Sequence, residues 1–482
     1  MKITLLLPLL FYFYLMLPLC AQQPYTQVYG TVQTDINRGY KIIALPNNTF
    51  VIGGEWNGKA YLMKVAANGN QLRYRSLDTQ INGNSTIKDM LLDADGSIVA
   101  VGECTRCASV TTDSLKKAFA IRTDTALTVL KTRVYNGANA ANNILSAPSI
   151  ARKGSNLIMI ASTGGLGLNF EDLVLQSLNT NLDTVWRKVI NSCSNCGFEY
   201  AYGIAPTSTG VTALIGHAFT DSITTYHFDL NGNILWKTRA FTFEGLDNAT
   251  IAANGNGKIY IAGGAKGVAG FDPTKFTAII STLSEATGVS LTGTVINTDT
   301  LTDETIRTLS VTTDGSILVG HSRTLSTSVA SRVYRLNASD SQIASFTDIP
   351  NPDAITSMTV TSVVPMNSNG TQYAACGIRG LFNRTFFHSY TTVRVSTEES
   401  DLENDFSVYP NPTTSNITVK IPKTNTPVSL VLSNVLGQVL WKQTIVPRDL
   451  NDKRYFTIAE KGFYFLQLQS EKKATVRKIR VE

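Results

Sequence analysis

The sequence has little of the side-chain chemistry on which most hydrolases depend. Its only histidines are His217, His227, His321 and His388. No Gly-x-Ser-x-Gly elbow, His-Glu-x-x-His motif or phosphate-binding glycine loop occurs, so the signatures of serine hydrolases, zinc peptidases and P-loop enzymes are absent. Glycosidases built on propellers need two facing carboxylates, yet the segments expected to lie innermost are poor in acids, with Asp89 the main exception. A lone inward aspartate more often binds backbone amides than acts as an acid catalyst, so the sequence favours a protein that is not an enzyme.

The first 21 residues predict a signal peptide. Lys2 precedes a nearly unbroken apolar run from Ile3 to Leu19, and small or polar residues follow it. A run of this length is at the short limit for a membrane span, and no basic stop-transfer cluster follows. A lipoprotein signal at Cys20 would need a small residue before the cysteine, where the chain has Leu19. We therefore expect cleavage after Ala21 and no membrane span in the mature chain.

Charge divides the chain into three parts. Residues 1–395 carry a net charge of +4, residues 396–405 carry −5 from five acids and no base, and residues 406–482 carry +7. A short acidic segment between two apolar-patterned regions is typical of a solvated linker. Because the basic excess lies in the last part, it gives no indication that the main body binds nucleic acid. We predict one domain at 22–395, an acidic linker at 396–405 and a second domain at 406–482.

Residues 23 to 395 repeat one unit at a spacing of roughly 50 residues, the period range of propellers and arrays. Each unit has an apolar strand after a tight turn, as at Asp95-Gly96 and Asp314-Gly315, and a second hairpin, as at Asn68-Gly69 and Asn231-Gly232. Asn-Gly and Asp-Gly between apolar runs are strong hairpin signals, because the favoured turn needs positive φ at both central residues. The pattern predicts four-stranded antiparallel blades, with strands a to d in each.

The two ends of this region predict how the ring closes. The last unit lacks a fourth strand before the acidic segment, and Tyr25–Gly30 resembles the outer strand Lys131–Tyr135. We therefore predict an all-β, seven-bladed propeller whose last blade is completed by the N-terminal strand, which removes an exposed edge. A pair of β-sandwiches is the alternative, but sandwiches do not require internal repetition. The repeats resemble those of degenerate propellers in secreted bacterial proteins, which indicates a fold and no particular activity.

Several motifs follow one another in the last part of the chain. These are Tyr409-Pro410-Asn411-Pro412, a Val-Leu-Gly-Gln-Val stretch around Gly437, Gly462 and Tyr464 near the end, and a basic closing strand. Their order and spacing resemble the type A C-terminal sorting domain of the type IX secretion system of Bacteroidota. The apolar alternation independently predicts a small β-sandwich with strands near 417–421, 428–432, 439–444, 464–468 and 474–481.

The resemblance to this family has consequences for where the protein goes. It implies Sec export to the periplasm, then translocation across the outer membrane by the type IX machinery, which would be the partner of residues 406–482. It also implies that this Ig-like sandwich is removed by cleavage in the acidic linker. The mature protein would then be attached to surface polysaccharide or released, so that it is secreted or bound to the outer surface.

Two Cys-x-x-Cys pairs stand out, Cys104 with Cys107 and Cys193 with Cys196. Four thiolates could bind zinc, but the distance between the pairs exceeds zinc-ribbon spacing. An exported chain meets oxidising conditions, so local disulfides that fix loops are the plainer interpretation, with free or redox-active thiols as a further alternative. We predict no metal and no other cofactor.

Four residues mark a candidate ligand face. His217 and His321 occupy matching positions at the ends of strands b in blades four and six, and Glu103 occupies the same position in blade two. Trp56 lies in the predicted b–c loop of blade one. Polar residues near a rim are also common without a ligand, so the repeated placement is the only indication of a site.

The prediction is a non-enzymatic propeller that binds a glycan or a surface protein. The alternatives are an extracellular enzyme that cleaves polysaccharide or peptide, and a structural or adhesion component.

Overall fold

The computed structural model describes residues 25–30, 36–107, 116–136, 146–163, 172–190, 199–217, 222–241, 246–253, 255–296, 302–325, 329–339, 341–350, 357–380, 384–391, 407–421, 428–434, 439–446, 452–469 and 474–482. The chain divides into two compact units, Met1–Thr392 and Val393–Glu482. The predicted signal peptide at 1–21 and acidic linker at 396–405 lie outside the described residues. Within the described ranges, no helix is long and apolar enough to cross a membrane.

The described residues of the first unit form seven four-stranded antiparallel sheets, here called blades 1 to 7. Strand a is the innermost strand of each blade and strand b pairs with it. The a strands are Asn37–Leu45, Asn84–Leu92, Ser146–Lys153, Glu199–Pro206, Leu246–Ala253, Glu304–Val311 and Met358–Pro365. The b strands are Thr49–Trp56, Ile98–Thr105, Asn156–Thr163, Val211–His217, Lys258–Ala265, Ile317–Thr324 and Gln372–Arg379.

Strands c and d complete each blade toward its outer edge. The c strands are Lys59–Ala66, Lys116–Thr123, Asp172–Leu178, Ser222–Phe228, Thr277–Ser284, Val329–Leu336 and Arg384–Thr391. The d strands are Gln71–Ser76, Val129–Tyr135, Thr184–Ile190, Ile234–Phe241, Ser290–Val295, Ile343–Asp348 and Tyr25–Val28. The turns lie where the sequence signals predict them, with Gly69, Gly96, Gly232 and Gly315 at φ of 73° to 84°, where a side chain would be strained. The residue before each glycine does not have a positive φ, so the predicted turn with positive φ at both central residues is wrong at these four positions.

The blades close into a ring. Strand a of each blade packs against strand a of the next, and strand a of blade 7 packs against strand a of blade 1. The strands b lie between packed sheets and are almost wholly buried, as at Val211–His217, where every residue is buried. Fully burying a large apolar side chain stabilises a fold by about 1.5–3 kcal/mol, so these strands carry most of the packing energy. The architecture is an all-β propeller.

The N-terminal strand completes blade 7, as predicted from the sequence. Tyr25–Val28 pairs with the strand c of that blade, with Tyr25 opposite Ser389 and Val28 opposite Phe386. The following residue, Tyr29, donates its hydroxyl hydrogen to the carbonyl oxygen of Gly69 at 2.7 Å, in the c–d turn of blade 1. The sequence prediction of closure by this strand is confirmed.

The outer strands contact the next blade around the ring. Tyr135 of blade 2 donates its hydroxyl hydrogen to the carbonyl oxygen of Leu182 in blade 3, at 2.6 Å. Tyr29, which follows the outer strand of blade 7, makes the equivalent bond to Gly69 of blade 1. The indole of Trp186 in blade 3 covers Gly232 of blade 4 so closely that an added Cβ would lie 2.8 Å from the ring. Each of these aromatic side chains therefore joins strand d of one blade to the c–d turn of the next.

The second unit is a small sandwich of two sheets. One sheet consists of Ser407–Tyr409, Asn416–Ile421 and Asp452–Thr457, and the other has the strand order Val439–Ile445, Val428–Asn434, Gly462–Gln469 and Ala474–Val481. Buried side chains of both sheets, among them Val419, Leu430 and Leu466, form one core. The five predicted strands are present. The sequence interpretation missed Ser407–Tyr409 and Asp452–Thr457.

Candidate functional site

His321 is buried in a hydrogen-bonded pair within blade 6. Its Nε2 lies 2.9 Å from Oε2 of Glu304, and the Glu304 side chain is completely buried. The guanidinium of Arg323 lies 3.6 Å from the other carboxylate oxygen. The imidazole and carboxylate therefore hold the start of strand a against the end of strand b.

Blade 4 holds a related pair, His217 and Glu199, in a different register. His217 lies directly opposite Glu199. In blade 6, by contrast, His321 lies opposite Ile306, and Glu304 lies opposite Arg323. The expectation that the two histidines occupy matching positions of strand b is therefore wrong.

His217 lies 3.0 Å through Nε2 from the hydroxyl of Thr224, and its Nδ1 lies 3.8 Å from a carboxylate oxygen of Glu199. Burial lowers the pKa of His217, and the positive charge of Arg239 lowers it further. Sequence reasoning selected both histidines but missed the glutamates, although Glu199 and Glu304 both begin strand a of their blade.

Glu103 and Trp56 lie closer to solvent than the two histidines. Glu103 forms ion pairs with Lys88 at 3.1 Å and Lys116 at 3.8 Å. The ring of Trp56 meets that of Tyr61 edge-on, with centroids 6.3 Å apart, and that of Tyr74 at 5.3 Å. Tyr74 is 36% exposed, so this aromatic group reaches the surface of blade 1.

Asp89 joins the inner strands of three blades. Its carboxylate accepts hydrogen bonds from the hydroxyl of Ser149 at 2.6 Å and from the amide of Ile150 at 3.0 Å, both in blade 3. Lys41 of blade 1 lies 2.8 Å away. This placement agrees with the expectation that an inward aspartate binds backbone amides. Within the described ranges, no three His, Cys, Asp or Glu side chains gather in a manner that could hold a metal ion.

Cys104 and Cys107 are joined in a disulfide, and both are buried. Cys193 and Cys196 lie outside the described residues, so their pairing stays a prediction. Cys376 is free and buried in strand b of blade 7, where burial raises the pKa of its thiol to about 12. At neutral pH this thiol is therefore protonated, which makes it a poor nucleophile.

Removing the Cys104–Cys107 disulfide should lower the free energy of unfolding by about 2 kcal/mol, because a short cross-link restricts the unfolded chain modestly. The measurement is urea unfolding of the Cys104→Ala/Cys107→Ala variant beside the parent protein. Thiol titration of the denatured parent checks the other pair: four blocked cysteines indicate that Cys193 and Cys196 are also bonded. An unfolding free energy that does not change would show that the disulfide contributes nothing to the fold.

In the second unit, the Tyr409-Pro410-Asn411-Pro412 segment is bonded to the final strand. The side-chain amide of Asn411 donates to the carbonyl oxygen of Lys478 at 2.6 Å, and its oxygen accepts from the amide of Arg480 at 2.9 Å. The backbone of Thr413 then bonds to Arg480 and Glu482, at 2.9 and 2.8 Å. This segment therefore fixes the last residues of the chain through its side chain and its backbone.

A cleft of about 700 Å³ opens beside this segment. The ring of Tyr455 stands at its wall and is 75% exposed. The lining residues are Pro410, Pro412, Thr413, Thr414, Asn416, Ile417, Thr418, Tyr455, Phe456, Thr457 and Glu482. The cleft thus combines the proline motif with the C-terminal residue of the chain.

Gly462 and Tyr464 lie at the start of strand Gly462–Gln469, which pairs with the final strand Ala474–Val481. Gly462 has a φ of 153°, a conformation that residues with side chains rarely adopt. The ring of Tyr464 is buried in the core, and its hydroxyl donates to the carbonyl oxygen of Glu460 at 2.8 Å. Gly437 lies outside the described residues. The motif residues that the structure describes therefore stabilise the sandwich itself, through backbone conformation, core packing and hydrogen bonds.

Residues 407–482 match the family described as the secretion system C-terminal sorting domain. The C-terminal unit is a type IX sorting domain. The sorting domain indicates export, followed by secretion or attachment to the outer surface. No curated protein matches the chain.

Solved structures with low sequence identity resemble the propeller that precedes the sorting domain. The WD40 domain of Pan2 from Neurospora crassa has 9% identity and a TM-score of 0.45, with 76% of this chain and 98% of that chain covered. The polysaccharide lyase Uly1 has 9% identity and a TM-score of 0.45, with 77% and 93% covered. The GH93 α-L-arabinofuranosidase of Fusarium graminearum has 12% identity and a TM-score of 0.42, with 76% and 97% covered.

Replacing Asn411 with alanine should loosen the end of the sorting domain. The variant loses two hydrogen bonds to the final strand, worth about 1–2 kcal/mol together at an exposed site. Hydrogen exchange at the amide of Arg480 should become faster, and less protein should reach the culture medium. Asn416→Ala, in the same sandwich but without bonds to the final strand, is the control. Unchanged exchange at Arg480 would contradict this role of Asn411.

Proposed function

We propose that the propeller is a non-enzymatic binding module which the sorting domain delivers to the cell exterior, and that its ligand is a glycan or a surface protein. The observation that carries this proposal is the internal pairing of its buried acids. Asp89 is occupied by Lys41, Ser149 and a backbone amide, and Glu304 by His321 and Arg323. A carboxylate with these partners has a structural role, whereas a glycosidase needs two carboxylates that face its substrate.

The solvent-accessible members of the aromatic group of blade 1, Trp56 and Tyr74, are the proposed contact for a sugar, and the fully buried Tyr61 supports them from the core. Trp56, Tyr61 and Tyr74 lie side by side across strands b, c and d, and Tyr74 is 36% exposed. Aromatic rings have an apolar face on which a sugar can pack while its hydroxyls bond to polar neighbours. Glu103, His217 and His321 stay a candidate ligand face in this proposal, with a role that is secondary to the aromatic group.

The proposal is tested by thermal-shift measurements on the full secreted chain with a panel of neutral and acidic oligosaccharides. A ligand that binds only the folded state raises the melting temperature in a saturable manner. We expect such a rise, and we expect Tyr74→Ala to abolish it. Phe346→Ala removes an exposed ring from strand d of blade 6 and serves as the matched control.

Two outcomes of this experiment would overturn parts of the proposal. Release of smaller sugars in the same mixtures would identify an enzyme. No shift with any oligosaccharide would exclude glycan binding by blade 1. The proposal would then be reduced to binding of a surface protein, which would require capture of one cell-surface protein by the propeller.

A further inference from the structure

Cations are distributed unevenly over the outer strands of the propeller. The d strands of blades 1 to 4 carry two cations each, whereas those of blades 5, 6 and 7 carry none. We call the eight cations of blades 1 to 4 the basic rim: Arg73, Arg75, Lys131, Arg133, Arg187, Lys188, Lys237 and Arg239. Such a concentration on four consecutive strands gives one side of the ring a positive potential.

The basic rim is continuous across blades 2, 3 and 4, because the outer strands of these blades are bonded to their neighbours. Arg133 of blade 2 forms an ion pair with Asp183 in the c–d turn of blade 3, and Arg187 of blade 3 donates back to a backbone carbonyl that follows strand d of blade 2, at 2.9 Å. Lys188 of blade 3 donates to the side chain of Asn233 in blade 4, at 2.7 Å. The cations of blades 2, 3 and 4 therefore lie on one uninterrupted surface.

Acids in the c–d turns offset part of this charge. Asp183 pairs with Arg133. The charge of Arg73 also interacts with that of Asp124, and the charge of Lys188 interacts with that of Asp229.

The other cations are less compensated. Lys131, Lys237 and Arg239 form no ion pair with any residue in the described part of the chain. Lys237 and Arg239 are exposed, and so is Arg73. The cations of blades 1, 2 and 4 are two residues apart on one face of their strand, a spacing of about 7 Å, whereas Arg187 and Lys188 of blade 3 are consecutive and point to opposite faces. The rim therefore presents at least one positive charge from each of the four strands.

Exposed aliphatic side chains also lie on these strands. Leu72, Leu130, Val185 and Leu235 are 53%, 56%, 62% and 52% exposed, one on the d strand of each of blades 1 to 4. They do not distinguish the rim, because Leu291 and Phe346 on the d strands of blades 5 and 6 are 50% and 55% exposed. Neighbouring residues of a strand also point to opposite faces of the sheet, so Leu72 and Leu130 face away from the cations that follow them. The charge is therefore the distinguishing feature of the rim, and its ligand should be anionic.

We propose that the basic rim binds an anionic extracellular polysaccharide that carries carboxylate or sulfate groups. A linear polymer can follow a row of charges around the outer wall of the ring, whereas a flat membrane surface would touch only part of a curved wall. Export places the propeller outside the cell, where such polymers are accessible. This inference goes beyond the proposed function, because the rim consists of cations on four outer strands, whereas the aromatic group is confined to blade 1 and shares only strand d of that blade with the rim.

The test uses the full chain with polygalacturonate, dextran sulfate and neutral dextran as probes. We expect binding to one or both anionic polymers that weakens as salt rises, and none to neutral dextran. The Arg73→Gln/Lys131→Gln/Lys237→Gln variant should bind about tenfold more weakly or worse, since each exposed pair contributes a few-fold. The matched control is Lys258→Gln/Lys266→Gln/Lys275→Gln, which removes the same charge from blade 5 and should retain the affinity.

The comparison is made between variants whose melting temperatures match that of the parent protein, which exposed substitutions should satisfy. Equal losses of affinity in the two triple variants would overturn the proposal in favour of net charge alone. The absence of binding to both anionic polymers would overturn it as well. Tighter binding to vesicles of anionic lipid than to either polymer would identify a membrane surface instead.

Tyr74→Ala keeps all eight cations of the rim, although Tyr74 lies between Arg73 and Arg75 on strand d of blade 1. Loss of polymer binding in that variant, with the affinity of the triple variant at blades 1, 2 and 4 unchanged, would therefore assign the ligand to the aromatic group.

Discussion

Replacing Glu304 with alanine should lower the free energy of unfolding of the propeller by about 3 kcal/mol, because it removes a completely buried carboxylate that accepts a hydrogen bond from His321 and attracts the Arg323 guanidinium. Glu304 is completely buried, with His321 at 2.9 Å and Arg323 at 3.6 Å. In the variant, the imidazole and the guanidinium keep their positions beside strand a but lose the carboxylate. The measurement is urea unfolding at neutral pH, followed by circular dichroism.

Glu103→Ala is the matched control for this experiment. Glu103 also pairs with two cations, but its side chain is 18% exposed and Lys116 is half exposed, so its loss should cost less than about 1 kcal/mol. Equal effects in the two variants would show that burial does not set the contribution of Glu304. A Glu304→Gln variant separates charge from hydrogen bonding, since the amide keeps an acceptor for His321 but has no negative charge.

Acidification should destabilise the propeller through His388, in strand c of blade 7. Burial lowers the pKa of this imidazole from 6.5 to about 4. Its Nδ1 lies 2.9 Å from the hydroxyl of Thr26 in the closing strand, and its Nε2 has no hydrogen-bond partner among the described residues. A proton added to this ring would therefore be buried without an acceptor, next to the pairing that closes the ring.

The sign of the effect follows from the two pKa values. Between pH 6.5 and about 4 the unfolded chain binds a proton at this residue and the folded chain does not, so the stability that is present above pH 6.5 falls as the pH is lowered. The contribution lost across this window is about 3 kcal/mol, at 1.36 kcal/mol per pH unit. Below pH 4 the folded state also binds the proton and no further loss occurs at this residue.

The measurement is the unfolding free energy at pH 7 and pH 4.5 for the parent protein and for His388→Gln. We expect the difference between the two pH values to be about 2–3 kcal/mol smaller in the variant, because glutamine can still bond to Thr26 but does not titrate. His217 and His227 are present in both proteins, so their contributions cancel. The same pH dependence in the two proteins would show that His388 is not the group that titrates.

The sequence was sufficient to predict the fold because its signals are local. Asp95-Gly96 and Asn231-Gly232 specify tight turns through backbone conformation alone, and the apolar strands between them repeat in every blade. The closing strand could be predicted because Tyr29 matches Tyr135, and the structure gives both hydroxyls the same kind of bond to the next blade.

The candidate site could be predicted only in part, because its contacts join residues far apart in the chain. The histidines at 217 and 321 were visible as repeated residues, but their pairing with Glu199 and Glu304 depends on the register between strands a and b. The basic rim was hidden for another reason. Its cations are two per outer strand and are separated by about 50 residues, so no window of sequence shows a cluster, whereas the ring places the strands side by side.

Closure by the first strand also determines where the chain could be cut and rejoined. Tyr25 lies opposite Ser389 in an antiparallel pair, so the start of the propeller and the end of its last strand c are about 5 Å apart in the sheet. A loop of a few residues from Thr391 to Tyr25 would make the c–d hairpin that blades 1 to 6 already possess. The propeller should therefore tolerate circular permutation, with new ends at the exposed turn of Gly96. In that protein, all four strands of blade 7 would follow one another in the chain. Blade 2 would instead be built from both ends, with strand a from the new C-terminus and strands b to d from the new N-terminus.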